Sequence, residues 1–115
     1  MTDDPLERLG ELLAERAPLY ALYGPGGTFD NTRKILLCTC RDAWRVTKQG
    51  AGEKVTEAAL DDLAHSDEEY RRLIARATEE RTQLALLDAE IQVLEMRLSL
   101  QRAETYERAQ LARLT

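Results

Sequence analysis

Residues 84–103 read LALLDAEIQVLEMRLSLQRA, and the spacing of apolar residues in this stretch decides the fold. Leu84, Ile91 and Leu98 recur every seven residues, and Leu87 and Leu94 stand three places later, which puts all five on one face of a helix. Leu86, Ala89, Val93, Met96, Leu100 and Ala103 also step by three and four, on a face about 160–200° from the first. A helix that is apolar on two sides must be covered twice, because an exposed stripe of this length exceeds what a soluble monomer usually leaves open.

Toward the N-terminus the first seam continues through Tyr70, Leu73 and Ala77. Ser66 and Glu69 form a Ser-x-x-Glu capping box, and neither Gly nor Pro follows before Thr115, so the spacing predicts one helix over 66–113, roughly 70 Å long at 1.5 Å per residue. The rest of the chain is too short to bury it. One seam is expected to take the protein's own second helix and the other a further chain. The interface residues are then Leu84, Leu87, Ile91, Leu94 and Leu98 on one side and Leu86, Val93, Met96 and Leu100 on the other. The predicted fold is all-α, a helical hairpin or bundle whose long C-terminal helix assembles into a coiled-coil-like homo-oligomer of more than two chains. The alternative is a monomeric bundle in which the first two helices cover both seams.

Residues 1–27 read as an N-terminal helical arm with a Gly-rich hinge, and 28–115 as the helical core. Asp4 followed by Pro5 is a cap with proline at the first helical position, and Leu6, Leu9, Leu12 and Leu13 follow at helical spacing. Pro18 is expected to end or kink this helix. Gly24-Pro25-Gly26-Gly27 is a loop, without the Gly-Lys-Ser/Thr ending of a phosphate-cradling motif. Thr28 or Asp30 caps a second helix over 30–49, stopped by Gly50-Ala51-Gly52. Thr56 caps a short third helix, with Val55 and Leu60 placed as a hydrophobic staple.

Charged residues make up 32% of the chain and aromatics 5%, a balance suited to long helices rather than to sheets. The first residues are acidic, so no secretory or transit peptide is expected. No apolar run approaches the roughly 20 residues of a membrane span. Cys38 and Cys40 diverge by about 200° on a helix and are not expected to bond to each other; a reducing cytoplasm is the expected setting. With one histidine, His65, at a helix junction, the ligands of a structural zinc site are lacking. Acidic pairs such as Asp61-Asp62, Glu68-Glu69 and Glu79-Glu80 fit a solvated face better than acid–base machinery. Neither an enzyme nor a cofactor is expected.

The net charge of −5 hides a pattern. Residues 31–52 carry five basic side chains against one acidic, whereas 53–96 carry twelve acidic against five basic. On the second helix Arg41, Arg45 and Lys48 fall within about 40° of Lys34, opposite Ile35, Leu36, Thr39, Ala43 and Val46. The expectation is an apolar face turned inward and a basic face turned outward, bordered by Trp44. Such a stripe suits single-stranded nucleic acid, with phosphates on the cations and a base on the indole. The competing expectation makes Trp44 a core anchor and pairs the cations with the acidic segment. Arg97, Arg102, Arg108 and Arg113 read as solvated helix surface.

A basic helix, then Lys54-Val55-Thr56-Glu57, an acidic stretch around Asp67 leading to Tyr70, and a long heptad helix together resemble the UvsY-type recombination mediators and related small phage recombination proteins. The likeness spans roughly residues 30–105. It implies a cytoplasmic oligomer, in the host cytoplasm if phage-encoded, that binds single-stranded DNA and helps load a recombinase in place of a single-strand binding protein. Lys34, Arg41, Arg45, Lys48 and Lys54 would then contact DNA. Two protein-binding roles compete with it, an acidic helical adaptor or inhibitor of a host DNA- or RNA-handling protein and a structural assembly factor.

Overall fold

The computed structural model describes residues 4–114, and these are all-α: helices α1 (Pro5–Tyr23), α2 (Phe29–Gly50), α3 (Glu57–Ser66) and α4 (Glu68–Leu114), with no strand among them. None of these helices is long and apolar enough to cross a membrane. The chain divides into two compact units. One joins α1 as far as Leu19 with α4 from Gln83 onward; the other runs from Tyr20 to Thr82.

In the first unit, Asp4 caps α1 by accepting the backbone N–H of Leu6 at 3.0 Å, and Pro5 fills the position where a missing N–H costs nothing. The helix does not end at Pro18 but runs through it to Tyr23. Proline removes one backbone hydrogen bond and crowds the preceding turn, a cost of about 3 kcal/mol in a helix interior. Anchoring on both sides offsets it, since Leu12 is fully buried and Leu19 packs on the same core. That core consists of Leu12 with Leu87, Ile91 and Leu94 of α4, and Leu9 adds to it. The first seam of this part of α4 is therefore covered by α1, not by α2 as the sequence suggested.

The second unit is built from tight joints. Gly24 and Gly27 donate to Tyr20 and Gly24 carbonyls at 2.8 Å, and Gly26 sits at φ +73°, a left-handed conformation that favours glycine. After α2, Glu53 N–H reaches back to the Lys48 carbonyl at 3.0 Å with Gly52 at φ +74°, the six-to-one closure of a glycine-terminated helix. Thr56 caps α3 as expected, its hydroxyl accepting Ala59 N–H at 3.1 Å.

The cap of α4 is Asp67, which accepts Glu69 N–H at 2.9 Å. Ser66 closes α3 instead, its hydroxyl donating to the Asp62 carbonyl at 2.7 Å. An aspartate in extended backbone accepts from the residue two ahead and outcompetes the serine before it. The core of this unit gathers Cys40, Ala64 and Tyr70, with Leu36, Leu37 and Ile74 against them. Nearby, Tyr23 and Phe29 rings lie 5.2 Å apart, and the Arg81 guanidinium sits over both, at 5.2 and 4.9 Å.

Candidate functional site

The inward face of α2 is centred on Cys40, which is buried, with Leu37 and Trp44 half-buried beside it. This is about a quarter-turn from the face the sequence pointed to. Ile35 and Val46, expected inside, are 68% and 69% exposed, and Thr39 and Ala43 are exposed with them. Leu36 alone of that set packs on the core. The basic stripe consequently borders the α2–α3 contact instead of facing away from it. Arg41 pairs with Glu57 and, at 3.0 Å, with Asp61. Arg45 reaches Asp42 at 3.2 Å and both oxygens of Glu57 at 3.3 Å. Lys48 meets Glu53 at 3.0 Å, and Lys34 meets Asp30 at 3.0 Å. The cause is local: Glu57 and Asp61 lie four apart on α3 and so share a face, which attracts the two guanidiniums as the helices close.

Trp44 donates from Nε1 to Asp67 Oδ2 at 3.1 Å, which fixes the indole within the fold. Asp67 was invisible as a partner in the sequence, yet it joins three elements. It caps α4 through Glu69 N–H, receives the α2 indole, and closes α3 by donating its backbone N–H to the Ala64 carbonyl at 3.3 Å. Its carboxyl is held below the ordinary range, first by the Glu69 backbone N–H and further by Trp44 and Cys40. Burial pushes the Cys40 thiol up, and the negative Asp67 adds to the shift. Cys40, Asp67 and Glu69 bring one possible ligand atom each within 4.8 Å of one another. Asp67 is already engaged on both oxygens, and one soft thiol with two hard carboxylates matches no common metal preference.

Lys54 lines an open groove with Arg45, Lys48, Glu53 and Glu57, so cations and carboxylates alternate around it. His65 is a joint residue, its Nδ1 2.7 Å from the Asp61 carbonyl and its ring edge-on to Tyr70 at 5.5 Å.

The second candidate surface is on the first unit. Leu87, Ile91 and Leu94 are only 7–8% exposed, because α1 covers them within the chain. Leu84 and Leu98 flank them half-buried. The other seam stands open: Leu86, Val93, Met96 and Leu100 are 53–67% exposed, with Ala89 and Ala103 exposed between and beyond them. Arg8 clasps Glu90 at 3.1 Å and Arg16 clasps Asp88. These two clasps hold α1 astride the first seam and leave the second turned away from it.

No family model, curated protein or solved structure matches this chain. The reading of its role therefore rests on these two surfaces.

Proposed function

We propose that this protein is a non-catalytic assembly factor that associates with copies of itself through the outer seam of α4. One observation carries this: on one apolar face of α4 Leu87, Ile91 and Leu94 are 7–8% exposed, whereas Leu86, Val93, Met96 and Leu100 on the opposite face are 53–67% exposed. The open face has four large side chains in a three–four repeat, and covering each one fully is worth roughly 1.5–3 kcal/mol. Of the two seams of α4, α1 covers one and leaves the other open among the described residues, and a self-complementary face of this kind closes as a twofold pair. Sedimentation across a range of concentrations tests it: the mass is expected to rise above that of one chain, and a single-chain mass throughout would end the proposal.

A recombination-mediator role, which the resemblance to UvsY-type proteins implies, would set such an assembly on single-stranded DNA beside a recombinase or single-strand binding protein. The gathering of Arg45, Lys48 and Lys54 about one groove favours it. Against it, Arg41, Arg45 and Lys48 are each engaged by carboxylates, which phosphates would have to displace. Salt-dependent binding to single-stranded DNA that is lost in Arg41→Ala/Arg45→Ala/Lys48→Ala supports this role, and no binding by the intact assembly at low salt rules it out.

A further inference from the structure

Resting on the self-association just proposed, we infer that two copies pair antiparallel through α4 in one register, with the twofold axis passing between Leu94 and Glu95. The seam repeats as a heptad with Leu86, Val93 and Leu100 at one core position and Ala89, Met96 and Ala103 at the other. In an antiparallel pair each residue of the first kind meets one of the second kind from the other copy. With the axis at this point, Leu86 lies against the second copy's Ala103, Ala89 against its Leu100, and Val93 against its Met96, and the same three layers repeat beyond the axis. Leucine meets alanine in four of the six layers, so long and short side chains interlock at even total volume. An in-register parallel pair does the reverse: it stacks Ala89 on Ala89 between thick layers and Ala103 on Ala103 at the end of the seam.

Charge selects the same arrangement. Glu90 and Arg97 flank the seam on one side. In the proposed register Glu90 of each copy lies beside Arg97 of the other, two oppositely charged pairs related by the axis. Sliding one copy by seven residues in one direction sets Glu90 against Glu90. Sliding it the other way sets Glu90 against Glu104 and Arg97 against Arg97. A parallel pair places Ala85, Gln92 and Ser99 across from Glu90, Arg97 and Glu104, with no charge to meet. Both alternatives forfeit what this register gains. The internal contact of Glu90 with Arg8 uses Oε2 alone, and the carboxylate is about half exposed, so it can serve both arginines.

Variants with one exposed cysteine decide the matter. In a Cys38→Ser background that keeps the buried Cys40, Leu86→Cys and Ala103→Cys are oxidised separately and as an equimolar mixture. Residues 86 of the two copies stand about 25 Å apart along the helix at 1.5 Å per residue, far outside the 4.4–6.8 Å Cα separation of a disulfide, whereas 86 and 103 share a layer. Covalent dimer is expected in the mixture and not in either variant alone. Dimer from Leu86→Cys alone would overturn the antiparallel register while leaving self-association intact. No dimer from the mixture, with unmodified protein still sedimenting above one chain, would overturn it in favour of another register or surface. A single-chain mass would remove both this inference and the association on which it rests.

Discussion

Leu12→Ala is the perturbation that most directly probes how the first seam of α4 is covered. Leu12 has no exposed surface and packs with Leu87, Ile91 and Leu94. Its truncation removes two methyl groups and a methine carbon from a closed site and leaves a cavity, for which the expected loss is about 3–5 kcal/mol. Leu13, the next residue on the same helix, is 45% exposed. Its truncation forfeits only part of a transfer term of roughly 1.5–3 kcal/mol and opens no closed void, so about 1 kcal/mol is expected. Urea unfolding followed by far-ultraviolet circular dichroism gives both values, with all three proteins compared at one concentration because self-association adds to apparent stability. Equal losses from the two substitutions, or a loss below about 1 kcal/mol for Leu12→Ala, would refute the assignment of α1 as the cover of this seam.

Three further outcomes follow from the second unit. Thr56→Ala removes the hydroxyl that accepts Ala59 N–H and should cost about 1 kcal/mol in the same unfolding assay, while Thr56→Ser should be near neutral. Asp67 has a folded-state pKa below its unfolded one, so its contribution is complete above about pH 4 and is lost as pH falls through the lower, folded value; the wild type should lose stability to acid over that window more steeply than Asp67→Asn, and parallel acid profiles would show that the cap and the indole bond do not depend on its charge. Glu57→Gln weakens the partner shared by Arg41 and Arg45; because exposed ion pairs contribute about 0–1 kcal/mol each, melting should fall only slightly, and a collapse of the α2–α3 unit would mean that the stripe is the main bond between these helices.

The helices and the two seams of α4 were legible because burial on a helix imposes a period that the sequence carries openly: Tyr70, Ala77, Leu87, Ile91 and Leu94 are all buried where the heptad placed them. Which element covers a seam is not written in that period. Leu9, Leu12 and Leu19 of α1 are as apolar as Leu36 and Leu37 of α2, and the chain uses the first set beside Leu87 and the second beside Tyr70. The direction of α2 differs from the expected one for a related reason, since hydropathy alone places its cations toward solvent. Leu36, Leu37 and Cys40 pack with Ala64, Tyr70 and Ile74, about 90° from the expected face, and this brings Arg41 and Arg45 to the border where Glu57 and Asp61 meet them. Asp67 left a weak signal, an acidic residue just ahead of a long helix, but Ser66 offered a more familiar capping pattern and drew the reading one residue early.

Whether copies of this chain meet on the open seam of α4 is read from sedimentation of the wild type beside Val93→Glu. Val93 sits in two symmetry-related layers of the proposed pair, each giving up roughly 1.5–3 kcal/mol of apolar burial on substitution, before the cost of a buried carboxylate is added. Association should therefore weaken by about a hundredfold or more, with the helical circular dichroism of each chain retained because Val93 is exposed within it. The wild type should associate, and Val93→Glu should sediment as a single folded chain at the same concentration. A variant that associates as strongly as the wild type would contradict this.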